Sequence, residues 1–438
     1  MWKHPDCAPA IYSALAPRLR PTPPGRRGSQ SRAPGLDNSW LYDRPRYHSV
    51  RYHCFMPNPY FYGAPVSGAA FVDREAELAS LLSLMREGRH GMMVSPRRYG
   101  KTSLLQLAVD KAVAERGSRV RAGMVSLADV LDTQGAQGVA EKIVSGVLAG
   151  PLGGLEGKLE GAKRLAAALR VRPVLTVGDD GKPRVTLEGG RAAGDWSDAI
   201  ADAVRILQQL HDEGLHPCLV IDEFQRLEEI EPGMAWAFKG LVDQLSGVSL
   251  IVCGSKRHLM LMLAKGPLKR IGTPMHLPKI NEDVMVGHLR HLAKTGGKEL
   301  TQQAANEIYV RMDGVPSDVQ ELAFWAFEVT QGRVIDGTSV ADGMGRALGL
   351  RAEWFRGTLG ELPKVRAGVV LALAREPVRQ LYSKAFMATV GNSNTTAIRQ
   401  AVASLDTDEV IEQDADGAWR LSDPMLRQWI LTRVLDLG

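Results

Sequence analysis

Three short apolar runs stand out along the chain: Gly91-Met92-Met93-Val94, Cys218-Leu219-Val220-Ile221 and Leu250-Ile251-Val252-Cys253. Each is unbroken rather than alternating and is bounded by turn-forming or charged residues. Such runs are the pattern of strands buried on both faces, as in a parallel sheet covered by helices. Arg119–Ser126 is a further candidate strand. Around these runs the spacing becomes helical. Leu78, Leu81, Leu82 and Leu84 follow Phe71-Val72-Asp73-Arg74-Glu75, Ser103–Val109 follows the first run closely, and Trp196–His211 precedes the second. Strands alternating with helices predict an α/β fold. Residues 148–195 interrupt it: a Gly- and Lys-rich stretch leads to Pro173–Val177 and Pro183–Leu187 around Asp179-Asp180-Gly181-Lys182, which predicts an inserted hairpin.

From Asn281 the pattern predicts helices only. Asn281 can cap one whose first turn carries Glu282 and Asp283, and Thr301 can cap the next. Ser317-Asp318-Val319-Gln320 has capping-box spacing after the turn Gly314-Val315-Pro316. His288 and His291 lie three apart on the first of these helices; with no acid or cysteine completing a metal set, they read as surface histidines. Over Leu362–Gly438, three helical patterns precede Val410-Ile411-Glu412-Gln413, the turn Asp414-Ala415-Asp416-Gly417 and Ala418-Trp419-Arg420-Leu421. Three helices and a hairpin predict a winged helix, whose third helix, Asn394–Leu405, exposes Asn394, Thr395, Arg399 and Gln400. Residues 364–438 nevertheless hold nine basic and nine acidic residues, without the cationic excess of a DNA reader. DNA binding and packing on the body or on a partner protein both stay open.

The chemistry begins where the first apolar run ends. Ser95-Pro96-Arg97-Arg98-Tyr99-Gly100-Lys101-Thr102, followed by Ser103, is a strand-to-helix turn with glycine before lysine. In that geometry backbone N–H groups and the positive helix end face a nucleotide phosphate. Lys101 would reach the β- and γ-phosphates and the Thr102 hydroxyl would sit on Mg²⁺. The motif's first position is usually glycine and here is Ser95, at some cost in backbone freedom. The second run ends in Asp222-Glu223, placing Asp222 to hold Mg²⁺ and Glu223 to polarise an attacking water as general base. The third ends at Ser255, which either faces the γ-phosphate or water, or caps the following helix. Lys256, Arg257 and Arg270 are nearby cations that could supply transition-state charge; Arg257 and Arg270 are the arginine-finger or sensor candidates.

Charge changes the picture only at the amino end. The chain of 438 residues carries a net charge of +5 from 54 basic and 49 acidic residues. Nine of the bases and three of the acids fall in 1–65, leaving 45 and 46 in the rest. The basicity therefore belongs to the tail and argues nothing for a DNA-binding body. Residues 1–55, rich in Pro, Arg, Ser and Gly, read as a disordered or mis-assigned segment, with Met56 resembling a natural start. No apolar run is long enough to span a bilayer. Cys7, Cys54, Cys218 and Cys253 have no metal or redox spacing, which fits a reducing, cytoplasmic setting.

Taken together, these residues resemble the archaeal-type, AAA-like ATP-binding proteins near the STAND class of signal-transducing ATPases. The likeness is carried by Asn58-Pro59-Tyr60-Phe61-Tyr62-Gly63, Phe71-Val72-Asp73-Arg74-Glu75, Ser95–Thr102 with Ser103-Leu104-Leu105, and Val220-Ile221-Asp222-Glu223-Phe224-Gln225. Cys253-Gly254-Ser255, the Gly314-x-Pro316 turn and Leu421-Ser422-Asp423-Pro424 complete it, over roughly residues 56–438. The resemblance implies ATP as nucleotide and a P-loop NTPase parallel sheet of five strands flanked by helices, followed by a helical lid and a C-terminal winged helix. It divides the chain into an ATPase domain at 56–280, a lid at 281–360 and a winged helix at 361–438. It places Arg74 and Glu75 near the adenine side and makes Pro316 a sensor of nucleotide state. The expected function is a Mg²⁺-dependent ATPase acting as a molecular switch, with an unidentified protein partner or self-association. The alternative is an ATP-regulated DNA-binding regulator or a replication-initiator-like protein.

Overall fold

The computed structural model describes residues 58–66, 71–151, 172–177, 183–188, 196–269, 271, 274–414 and 417–435. Arg270 and the basic segment 1–55 lie outside them. The strands of the central sheet are β1 (Gly91–Val94), β2 (Val120–Ser126), β5 (His216–Asp222), β6 (Ser249–Gly254) and β7 (Pro274–His276). Between β2 and β5 the inserted pair β3 (Arg172–Val177) and β4 (Pro183–Glu188) runs antiparallel, with Val177 opposite Pro183, as the hairpin pattern predicted. The sheet is parallel throughout, in the order β2-β5-β6-β1-β7.

Continuous apolarity did mark the buried strands: β1 and β6 are buried at every residue, and β5 at all but its first. Successive side chains of a strand point to opposite faces, so each run feeds two cores. Met92, Leu219, Ile221, Leu250 and Val252 meet the helices α3 (Gly135–Ala149), α4 (Trp196–Asp212) and α6 (Met234–Val242). Met93, Cys218, Val220, Ile251 and Cys253 meet α1 (Glu75–Glu87) and α2 (Lys101–Ala114). In α1 the buried set is Leu78, Leu81 and Met85, with Leu82 and Leu84 only partly covered. The short helices α5 (Arg226–Ile230) and α7 (Arg257–Lys265) follow β5 and β6.

Beyond Asn281 come α8 (Glu282–Thr295), α9 (Gln302–Arg311), α10 (Pro316–Val329) and α11 (Gly337–Gly360). Asn281 and Thr301 cap as expected, accepting from the N–H groups of Asp283 and Ala304. Two expectations need correction. The segment is not purely helical, because Glu299–Leu300 (β8) and Val334–Ile335 (β9) form a two-residue parallel pair. Ser317 does not cap α10: the helix starts at Pro316, whose fixed φ and missing N–H suit that position, and Val315 is the N-cap.

The remaining elements are α12 (Lys364–Arg375), α13 (Lys384–Val390), α14 (Thr395–Thr407), the antiparallel hairpin β10 (Ile411–Gln413) and β11 (Trp419–Leu421), and α15 (Pro424–Arg433). These are the three helices and hairpin expected from the sequence. They share one hydrophobic core with α8–α11: Leu289, Leu322 and Phe355 join Val370, Leu405 and Ile430 in a single cluster. Met56–Gly438 thus forms one compact unit. No helix among the described residues is long and apolar enough to cross a membrane.

Candidate functional site

The register of the sheet brings the carboxyl ends of β1, β5 and β6 side by side: Val94 lies opposite Gly254, and Ile221 opposite Val252. The next residues of each strand are Ser95, Asp222 with Glu223, and Ser255. Ser95 is buried and causes no strain. Its N–H donates to the Gly254 carbonyl at 3.4 Å and its hydroxyl to the Leu277 carbonyl at 3.1 Å. Its backbone is not left-handed; those positions in the loop are Arg98 (φ 68°) and Gly100 (φ 87°). Gly100 is the N-cap of α2 and supplies no side-chain acceptor, and a Cβ there would meet nothing within 4 Å.

Lys101, only 5% exposed, folds back to donate to the Pro96 carbonyl at 2.9 Å. Thr102 donates its hydroxyl to Asp222 Oδ2 at 2.7 Å, across 120 residues of sequence. The other Asp222 oxygen accepts from the Glu223 N–H at 3.0 Å. Burial pushes the Asp222 carboxyl above its ordinary range, while the Thr102 hydrogen bond pulls it back. Glu223 takes a left-handed backbone (φ 53°), uncommon for a side chain of its kind. That turn aims its carboxylate at β6, where it accepts from the Ser255 hydroxyl at 2.9 Å and from the Gln225 amide. Ser255 therefore is not a helix cap; Lys256 is the N-cap of α7, with no side-chain cap bond. Gln225 closes the segment Val220–Gln225, and no role of its own was legible for it in the sequence. It is 1% exposed, and a Cβ on Gly254 would fall 2.3 Å from its Oε1, so glycine is needed there for this approach.

A cleft of about 400 Å³ opens beside the loop, a size suited to a small-molecule ligand. Residues 100–103 form one wall, Phe61–Val66 and Arg74 a second, and Pro316–Asp318 with Glu321 a third. Ser103 Oγ accepts from the Val66 N–H at 3.0 Å, fixing the amino-terminal strap to the loop. Tyr60 anchors that strap by donating to the Leu289 carbonyl at 2.8 Å. Arg74, 4% exposed and left-handed at φ 85°, donates to the Pro278 carbonyl at 2.5 Å; burial lowers its affinity for a proton.

The other loop residues are tied to distant parts of the chain. Arg97 pairs with Glu409 at 2.8 Å, Arg98 with Asp318 at 3.0 Å and Asp423 at 3.1 Å, and the Tyr99 hydroxyl accepts from Arg420 at 3.0 Å. None of these partners was read from the sequence, since they lie hundreds of residues away. The only local cue was Asp423-Pro424, a helix start. Of the charge candidates, Lys256 pairs with Glu229 at 2.8 Å, and exposed Arg257 reaches the Gln413 carbonyl at 3.4 Å rather than any residue of the loop. On α14 the Asn394 side chain is spent as the N-cap, and Arg399 lies 5.7 Å from the Tyr382 ring centre.

Neither a protein-family model nor any curated protein sequence matches the chain. Solved structures do. The Walker-type ATPase PABY2304 of Pyrococcus abyssi is 15% identical with a TM-score of 0.59, over 84% of this chain and 98% of its own. The Aeropyrum pernix ORC1 protein in complex with DNA is 15% identical, with a TM-score of 0.45 over 85% and 96% of the two chains. Cdc6p from Pyrobaculum aerophilum is 13% identical, with a TM-score of 0.42 over 85% and 99%. The first likeness establishes that this chain has the fold of a P-loop ATPase; the two lower scores add nothing to that.

Proposed function

We propose that the protein is a Mg²⁺-dependent ATPase that works as a nucleotide-driven switch. The observation that carries this reading is the 2.7 Å contact between Thr102 and Asp222. It joins the first turn of the helix after the glycine–lysine loop to the acid closing a buried parallel strand. A hydroxyl and a carboxylate side by side are hard oxygen donors, the chemistry that Mg²⁺ accepts while keeping waters and substrate phosphates as its other ligands. Thr102 and Asp222 would hold the ion, which neutralises phosphate charge when bound.

The residues of the chain divide the remaining work. Lys101 leaves the Pro96 carbonyl for the phosphates, and uncapped N–H groups at the start of α2 face the same anion. Glu223 orients a water and accepts its proton as the water's oxygen bonds to the γ-phosphorus and the bond to the ADP oxygen breaks. Ser255 and Gln225 hold that carboxylate in place by donating to it. The strap at 58–66 and Arg74 form the base side of the cleft, opposite Pro316. Residues 281–360 act as the lid and 361–438 as a winged helix, and both respond to the nucleotide. Arg257 reaches the Gln413 carbonyl of the hairpin rather than the loop, which leaves the role of transition-state arginine unassigned.

The test is steady-state hydrolysis together with nucleotide binding. Glu223→Gln should bind ATP normally and lose about 10²–10⁴-fold in turnover. Normal turnover by this variant would remove Glu223 from the mechanism.

A further inference from the structure

Three consecutive loop residues, Arg97, Arg98 and Tyr99, are tied to elements outside the sheet, and Arg98 is the centre of the attachment. Its carbonyl accepts from the Ser317 N–H at 3.3 Å, in the first turn of α10. Its guanidinium spreads over two carboxylates, donating to Asp318 of α10 at 3.0 Å and to Asp423, the N-cap of α15, at 3.1 Å. Both arms of the fork are thereby used, a geometry that a lysine cannot reproduce. The backbone at Arg98 is left-handed at φ 68°. A side chain of this size does not favour that conformation by itself, so surrounding structure must impose it.

We propose that Arg98 is a positioning residue for the nucleotide site. Its fork on Asp318 and Asp423 sets the loop backbone just ahead of Gly100 and Lys101. The docking of α10 and α15 then preorganises the loop for phosphate, and phosphate in the loop in turn tightens that docking. Coupling of this kind is reciprocal: whatever one event adds to the other is returned in equal measure. The remaining ties act in the same direction, because Arg97–Glu409 and Tyr99–Arg420 attach the same loop to a residue pair at the hairpin, Glu409 just before β10 and Arg420 within β11. This inference rests on the reading of Ser95–Thr102 as a phosphate loop.

Asp423→Asn isolates the interaction. Asparagine caps a helix as well as aspartate does, so the bonds that Asp423 Oδ1 accepts from Met425 and Leu426 are retained. The charge opposite Arg98 and the acceptor that Oδ2 offers its guanidinium are lost together. In the full chain, titration with a fluorescent ATP analogue and Mg²⁺ should show affinity about tenfold weaker than wild type, within the usual range of site-to-site coupling. Backbone hydrogen exchange over 411–433 should slow on adding ATP in the wild type and respond far less in the variant. Arg98→Lys, which keeps the charge but not the fork, should lose the same response. A merely structural role for Arg98 would change stability and leave the ATP response in place. The inference is overturned if the wild type binds ATP while Asp423→Asn binds it equally well or more tightly, or keeps the full exchange response. A wild type that binds no nucleotide removes the phosphate-loop reading first, and the inference with it.

Discussion

The two halves of the loop Ser95–Thr102 turn to different parts of the molecule. Gly100, Lys101 and Thr102 face the strand ends and meet Pro96 and Asp222. Arg97, Arg98 and Tyr99 meet Glu409, Asp318, Asp423 and Arg420, all beyond the central sheet. The inner half carries the residue types that phosphate chemistry requires. The outer half carries long side chains whose partners sit on α10, α15 and the hairpin. One short segment thus carries both the proposed phosphate-binding residues and an attachment to distant parts of the chain. A loop so fastened cannot adjust to a ligand without disturbing what it holds, which makes a switch physically reasonable in this fold.

The comparison can be broken first at its inner half. With Lys101 binding phosphate as proposed, Lys101→Ala should abolish nucleotide binding, at least about a hundredfold loss; isothermal titration with ATP and Mg²⁺ reads it. Folding should survive, because the lysine donates only to a loop carbonyl. The outer half fails differently. Arg420 is 8% exposed and holds both the Tyr99 hydroxyl and the Glu412 carboxylate. Burial already raises the Glu412 carboxyl above its ordinary range. Arg420→Met strands that acid, and urea denaturation should show a loss of about 3–5 kcal/mol. Equal stability in that variant would mean that the outer half is not structurally important.

A pH experiment sharpens the same division. Burial holds the Asp318 carboxyl up to about 7, in spite of Arg98 beside it. Asp423 and Glu321 add to the rise, and Arg351 opposes it. This acid therefore keeps its proton in the folded chain at pH values where the unfolded chain has released it. Its contribution to stability falls as pH rises from 3.8, its ordinary value, to about 7. Asp318→Asn should flatten the decline in melting temperature across that window, and an unchanged slope would assign the decline to other groups. The smallest effect belongs to the pair Arg97–Glu409, whose arginine is 65% exposed. Arg97→Ala should cost less than about 1 kcal/mol, and high salt should erase even that.

Much of this architecture was legible in the residues themselves, for local reasons. Buried parallel strands require unbroken apolar runs, and Gly91–Val94, Cys218–Ile221 and Leu250–Cys253 are such runs. Caps at Asn281 and Thr301 are bonds to N–H groups two or three residues away, so a short window contains both partners. The resemblance implied a fifth strand but did not locate it at Pro274–His276, because three residues beginning with proline show no period. Ser317 misled for a related reason. Capping-box spacing was present, but Pro316 before it is the better first residue of a helix.

What the sequence determined by itself is the chemistry at the strand ends: a lysine and threonine after glycine, two adjacent acids, and a serine, each closing a run that must be buried. Hydrophobic period and turn chemistry are short-range properties, so they can be read in order along the chain. Only the tertiary structure decided that Thr102 meets Asp222, that Glu223 turns back to Ser255, and that Ser95 is accommodated where glycine was expected. It alone brought Asp318 and Asp423 to Arg98, from 220 and 325 residues away. Ion pairs leave no period in a sequence, because charged residues are common and their partners are chosen by packing. The Arg-Arg-Tyr of the loop therefore read as part of a nucleotide-binding turn, and its distant partners appeared only with the fold.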